Sequence, residues 1–477
     1  MMNEKYDLVL VGSSFASTFF LKQYLEKAPR NASVLILERG YLFPHTDRLR
    51  SQRGEQPNIT NLNEENTETF INATNNKRWE FLTGFGGSSN CWHGCTPRFL
   101  SSDFKMKTLY GVAEDWPIQY SDLEPYYNKT EEIMSISGAS GTPFPRNKPY
   151  PQPPHIFSTV DRILKKKYGD LYINPPTARA RVAGNGRGAC CASAVCSICP
   201  VNAKFTIENG MSDVFSDQRV QIIYGAQVHT LDLSSDMVNK IEYTMSGQDY
   251  SVSAEVYALG ANAIFNAHIL LNSGDSNLYV GKGIGEQISL EARVDLHNLE
   301  CVGGSTKVNA NGYMLYDGPH RKDFAACLME ANNTPYIRFE KGKWRHQARF
   351  RMIFENLPED NYVSLSPDRM KPEVHFKGIT EYALKGIENM KKTLPEILSC
   401  LPVEKIEYSN LHHTESHILG STRMSNSKEN GVVDSNLIHH QYRNLFVLGS
   451  GTFTTYTPSN PTLTLSALSL KAADKSF

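Results

Sequence analysis

Three short runs of continuous apolar residues stand out along the chain: YDLVLVG at 6–12, SVLIL at 33–37 and LFVLGSG at 445–451. A run that is apolar on both faces predicts a strand buried within a parallel sheet. Residues 16–25, between the first two runs, predict a helix, so the chain opens as strand, helix, strand. Between residues 292 and 376 the pattern breaks into many short strand-like pieces, among them ARVDLHNLECVGG, YIRFEKG, RHQARFRMIF and NYVSLSP. These predict a largely antiparallel sheet with one wet face. EYALKGIENMKKTLPEILSCL, at 381–401, carries apolar residues at helical spacing with charges opposite. DWPIQYSDLEPYYNKTEEIMSISG, at 115–138, predicts a helix after a turn, and the proline-rich stretch 138–154 a surface excursion. A last helix is predicted from Ser459, in SNPTLTLSALSLKAAD.

With 477 residues, 40% of them hydrophobic, the chain is long enough for two domains with sizeable cores. The formal net charge of −1 argues against nucleic acid as a partner, because phosphate binding needs a clustered cationic surface. No apolar run reaches the roughly 18 residues of a transmembrane helix. The start, MMNEKYDLVLVGSS, passes straight into a strand without a cationic segment and apolar core, so no cleavable signal is expected on this chain.

The first strand ends in Gly12-Ser13-Ser14-Phe15-Ala16-Ser17, a G-x-G-x-x-G pattern with serine at the second and third glycine positions. Serine is small enough for a pyrophosphate to approach the backbone, and the following helix aims its N-terminal amides at it. Glu38, at the end of the second strand, is placed to accept hydrogen bonds from a ribose diol. GFGGSSNCWHGCTPRF, at 84–99, makes a loop able to lie flat against a ligand.

The nine cysteines are an odd number and a poor disulfide framework. Four of them, Cys190, Cys191, Cys196 and Cys199, crowd into GACCASAVCSICP at 188–200. Structural zinc usually takes two separated C-x-x-C knuckles, and only Cys196–Cys199 forms one. Exchange-active thiols would want a thioredoxin-like context. Closely spaced thiolates followed by Cys-Pro are the ligation style of an iron–sulfur cluster. By residue pattern alone these three readings stay open.

Several segments together resemble the glucose–methanol–choline (GMC) oxidoreductases: the Gly12 loop, Glu38, the GGSSN loop, DWPIQYSDLEPYY, YALGANAIFNAHILLNS at 257–273, and the block of HILGSTRM, GVVDSNL and RNLFVLGSGTFTTYTPSNPTLTL. The resemblance implies an α/β fold, with a Rossmann-type FAD-binding domain from 1–105, 205–290 and 410–477. It implies a substrate domain from 106–204 and 291–409 built on the antiparallel sheet and carrying the cysteine loop. It also implies FAD, with Gly12, Ser14 and Ser17 at the pyrophosphate, Glu38 at the ribose and the Val228 backbone at the adenine. Gly87, Ser88 and Asn90 of the glycine loop join the cofactor site. Gly449 and Ser450 fall by the ribityl and phosphate region, and Pro461 and Thr462 by the pyrimidine edge of the flavin. His417 and Asn460 match the family's catalytic pair. A neutral imidazole is suited to take the hydroxyl proton near pH 7, whereas an amide cannot titrate and only orients the alcohol. Some relatives attach flavin through a histidine at the position of Cys91, so histidyl attachment is excluded here and non-covalent FAD is expected.

The cysteine stretch resembles that of the catalytic subunit of bacterial FAD-dependent glucose dehydrogenases in the same family. That resemblance assigns a [3Fe–4S] cluster to Cys190, Cys191 and Cys196, with Cys199 as a possible fourth ligand. It implies a sugar dehydrogenase passing electrons to a cytochrome or other protein acceptor, with a small partner subunit. Periplasmic export alongside that partner, or a cytoplasmic location, both fit. The competing expectation is a sugar or glycoside oxidase of the pyranose oxidase type, which TPRF at 96–99 and TPSNPTLT also fit. The intact His417 and Asn460 argue against a catalytically dead subunit.

Overall fold

The apolar runs form a five-stranded, all-parallel sheet in the order Leu445–Val447, Ala254–Leu259, Tyr6–Val11, Val34–Glu38, Val220–Tyr224. The computed structural model describes residues 5–56, 69–74, 77–334, 337–357 and 360–477. Val34–Glu38 is buried along its whole length, which is why its sequence does not alternate. The helix Phe15–Lys27 leaves the first strand through Ser14 and packs on the C-terminal helix Thr462–Ser476. That C-terminal helix begins three residues beyond Ser459, because the chain is still turning through Pro461.

A six-stranded sheet follows the order Val403–Tyr408, Ile288–Leu296, Gln347–Phe354, Cys327–Asn332, Val308–Leu315, Tyr172–Ile173, and its paired strands are antiparallel. One face carries Leu290, Ala292, Met329, Ala331, Phe350 and Met352, and buries them against the helix Glu381–Ile397. This is the alternation that the sequence announces, and it divides the molecule into two main cores.

Three expected elements settle differently. YIRFEKG forms no strand in its described part, 337–342: Phe339 points into solvent, 97% exposed, and Gly342 turns the chain with a positive φ. NYVSLSP yields the strand Tyr362–Leu365, but it pairs with Pro372–His375 and through it with Ile71–Asn72, away from the large sheet. The helix within 115–138 is Tyr120–Met134, and it packs on Thr462–Ser476 and joins the core around the parallel sheet. No helix among the described residues is long and apolar enough to cross a membrane.

Candidate functional site

A cleft opens at the C-terminal ends of the parallel strands, enclosing about 790 Å³ of space partly open to solvent. This is where open α/β sheets take their ligands. Gly12, Ser14, Glu38, Gly87, Ser88 and Val228 line it. Gly12 sits at φ +86°, and a Cβ there would stand 2.6 Å from the Gly260 carbonyl oxygen. Gly87, at φ +48°, presses against Ser14, whose Cβ is 2.9 Å from where its own would lie. The two loops therefore approach closely, with the Ser13 hydroxyl accepting from the Gly86 amide at 3.1 Å.

Glu38 is 5% exposed and turns its carboxylate onto the first loop: Oε2 accepts from the Ser13 amide at 3.1 Å and the Ser13 hydroxyl at 2.6 Å, and Oε1 from the Gly40 amide at 2.9 Å. Ser17 does not line the cleft. Its hydroxyl donates to the Val11 carbonyl at 3.1 Å, so the third glycine position serves strand–helix packing here. Asn90, Gly449, Ser450, Pro461 and Thr462 likewise lie outside the cleft lining. Asn90 donates to the Phe85 carbonyl, and Ser450 to the Ile418 carbonyl. The cleft also gains Arg39, Phe265 and His268, none of which the sequence reading singled out. Arg39 lies over the Phe265 ring, 4.9 Å from its centroid. The His268 Nε2 has no protein partner among the described residues, and burial lowers its pKa to about 4. Their signal in the sequence was only the residue after Glu38 and one face of the helix Asn262–Asn272.

The second part of the site lies where the segment 412–419 runs beside 285–289, joined at Ser289–His412 and Gly285–Leu419. That register sets Gln287 opposite His417. The Gln287 amide donates to the carbonyls of Thr457 and Ser459 at 2.7 and 2.9 Å, so its Oε1 is the acceptor that meets His417 Nδ1 at 2.9 Å. This network assigns the proton to Nδ1 and leaves the Nε2 lone pair free. Burial, reinforced by the charge of Arg351, lowers the His417 pKa to about 3, so the ring is neutral at ordinary pH. Gln287 thus ties His417 to the turn that precedes Asn460. Asn460 Oδ1 is buried without a hydrogen-bond partner among the described residues, an acceptor open to a donor. Tyr316 bonds Ser459 and Asp103, and Arg321 bonds Asp103 and Glu355, which holds this turn from the substrate-domain side.

Glu415 does not act on His417 directly. It receives two bonds from the Arg351 guanidinium, at 3.0 and 2.7 Å, and the charge that His417 feels is that of Arg351. Arg351 belongs to a polar row running across the large sheet on the face opposite the Glu381–Ile397 helix: Asn311, Glu330, Arg351 and Glu291 are cross-strand neighbours in turn. Glu330 Oε1 has no hydrogen-bond partner among the described residues, and burial raises this carboxyl to a pKa of about 7. It therefore has both donor and acceptor capacity for a hydroxyl near neutral pH.

The third part is the cysteine loop. Cys190, Cys191, Cys196 and Cys199 line one narrow recess, together with Arg179, Lys204 and Lys307. Among the described residues no three His, Cys, Asp or Glu side chains stand close enough to hold a single metal ion. Cys91 lies nearby on the glycine loop, and burial raises its thiol pKa, which keeps it protonated and unreactive.

Residues 380–469 match the family model for GMC oxidoreductases. The chain is 28% identical over 444 residues to the fructose dehydrogenase large subunit of Gluconobacter japonicus, covering 82% of this chain and 80% of that one. It is 24% identical to the 6'''-hydroxyparomomycin C oxidase of Streptomyces lividus, covering 98% and 90%. Its fold matches that of pyridoxine 4-oxidase from Mesorbium loti with a TM-score of 0.69 over 99% of both chains, at 16% identity. The match over 380–469 and the likeness of most of the chain to these relatives lead to one conclusion: the chain is similar to the GMC oxidoreductases, enzymes that act on CH–OH groups.

Proposed function

We propose that this chain is an FAD-dependent dehydrogenase that oxidises a hydroxyl of a sugar and passes the electrons through a [3Fe–4S] cluster to a protein acceptor. The observation that carries the reading is the recess shared by Cys190, Cys191, Cys196 and Cys199, which Lys204 joins directly to the glycine loop beside the flavin cleft.

The cleft fits FAD on two counts: the close-packed glycine turns at Gly12 and Gly87, where a Cβ would collide with Gly260 and Ser14, and the enclosed carboxylate of Glu38. In this reading Gly12 and Ser14 hold the pyrophosphate, Glu38 exchanges a Ser13 bond for the ribose, and the Val228 backbone meets the adenine. Gly449, Ser450, Pro461 and Thr462 close the flavin end. When bound, FAD supplies the hydride acceptor. His417 Nε2 takes the hydroxyl proton, while its Nδ1–H stays on Gln287 and fixes the ring plane. Asn460 Oδ1 accepts from the substrate hydroxyl and orients its carbon. Glu330 and Arg351 line the opposite wall with groups that suit several hydroxyls. A polyhydroxylated substrate agrees with this wall and with the named substrate of the fructose dehydrogenase relative. A cluster would supply one-electron steps, held by Cys190, Cys191 and Cys196, with Cys199 as a fourth ligand if four irons are present. The exposed Cys191 and Val195 give this loop a face for an acceptor such as a cytochrome. A small partner subunit and export to the periplasm alongside it belong to the same reading.

The second reading is a sugar or glycoside oxidase that returns electrons to dioxygen, favoured by the oxidase among the relatives. Low-temperature EPR before and after dithionite, with iron and sulfide assays and a peroxide assay in air, separates the two. A signal in the oxidised protein that fades on reduction is the expected result. A signal only after dithionite brings in Cys199 and four irons. Protein free of iron that forms stoichiometric peroxide makes it an oxidase.

A further inference from the structure

We propose that Lys204 is a positioning residue that clasps the cysteine loop to the flavin-side loop, and that with Arg179 and Lys307 it supplies the positive charge that an electron-accepting thiolate cage needs. The inference rests on the cluster reading above.

Lys204 is 2% exposed and has no carboxylate partner in reach among the described residues. Its ammonium instead donates to four backbone carbonyls: Asn90 at 2.9 Å and Trp92 at 2.9 Å on the glycine loop, and Cys196 at 2.8 Å and Ser197 at 3.1 Å on the cysteine loop. One buried cation therefore spans both loops. Arg179 repeats the arrangement. It is 1% exposed, donates to the His93 carbonyl at 2.9 Å, and directs the same guanidinium to Cys196 Sγ at 3.9 Å and Cys95 Sγ at 4.0 Å. Lys307 reaches the recess from the start of the strand Val308–Leu315 and meets His93 Nε2 at 3.3 Å.

A buried charge without a counter-ion is costly, and the buried Arg179 and Lys204, joined by the half-buried Lys307, favour an anion in the recess. Ala192 and Ala194 both hold positive φ, 53° and 62°, a conformation that alanine rarely adopts and that this loop keeps beside the recess. Thiolates bound to iron supply that charge. Uptake of one electron from dithionite adds one negative charge to the cage and no proton, so neighbouring cations favour the reduced form.

The test uses the full chain with its native complement of iron. An EPR-monitored redox titration of Lys204→Gln should show a midpoint shifted negative relative to wild type, with Lys204→Arg restoring most of the shift. Hydrogen exchange should speed up together in 88–92 and 195–199 in Lys204→Gln, which a purely electrostatic role would not produce. Lys307→Gln makes no change to the clasp and should shift the midpoint alone. It also keeps the charge role open to refutation if Lys204→Gln fails to fold. A wild-type cluster whose midpoint is unchanged in both glutamine variants overturns this inference and leaves the dehydrogenase reading standing. Iron-free wild type overturns both.

Discussion

The surroundings of His417 and the cysteine recess treat charge in opposite ways. Around His417, burial keeps groups neutral: the imidazole pKa falls to about 3, and the carboxyl of Glu330 rises to about 7. Around the cysteines, burial lowers the pKa of Lys204 only to about 8, and Arg179 and Lys204 stay as cations held by backbone carbonyls and sulfur. Proton transfer needs a base with a free lone pair and no charge to repel the leaving proton. Electron transfer without a proton changes the net charge of a site, so that site needs compensation already in place. The contrast is what the two proposed chemistries require of their surroundings.

The most severe way to break the comparison is to remove a thiol. Cys196→Ser should lose the iron altogether, whereas Cys199→Ser should keep it if three irons are bound. Iron analysis of the two variants side by side decides this. His417→Ala should slow flavin reduction by substrate about 10²–10⁴-fold with FAD still bound, measured by anaerobic stopped flow. Near wild-type reduction would remove the base from His417. Gln287→Leu takes away the acceptor that fixes Nδ1–H, and a loss of about 10–10² in the same rate is expected from misplaced geometry.

A smaller effect concerns stability. The unfolded imidazole binds a proton below pH about 6.5, but folded His417 does so only near pH 3, with His155 and His268 near 4. Across that window the unfolded chain binds more protons, so stability falls as the pH drops from about 6.5 toward 3. His417→Asn should lose less stability than wild type between pH 7 and pH 5 in urea titrations. An equal loss would place the acid sensitivity elsewhere. The least change is expected at Cys91→Ala, because denatured wild type should already release its FAD into solution. Flavin retained on wild-type protein and freed by the substitution would reveal a cysteinyl bond.

Much of this molecule is legible from its residues. YDLVLVG, SVLIL and LFVLGSG announced the parallel sheet because a strand covered on both faces has to be apolar throughout. The alternation in RHQARFRMIF announced a sheet with one buried face, and the Gly12 loop lines a cleft at the end of the parallel sheet. YIRFEKG misled because its strand-like residues sit at an exposed turn, where neighbouring strands no longer cover them. Ser17 misled because a small residue at the third motif position serves packing as readily as a ligand. Gln287 was invisible, since a lone glutamine in a strand-like stretch has no local signature.

The sequence by itself determined the family, the period of each element and the identities of the chemically able groups, because those follow from neighbours only a few positions apart. Only the tertiary structure decided that Gln287 meets His417, that Glu415 spends its charge on Arg351, and that Lys204 binds two loops 106 residues apart between Asn90 and Cys196. Burial and hydrogen-bond partners at such separations are set by how the sheets and loops pack, and no local pattern encodes them.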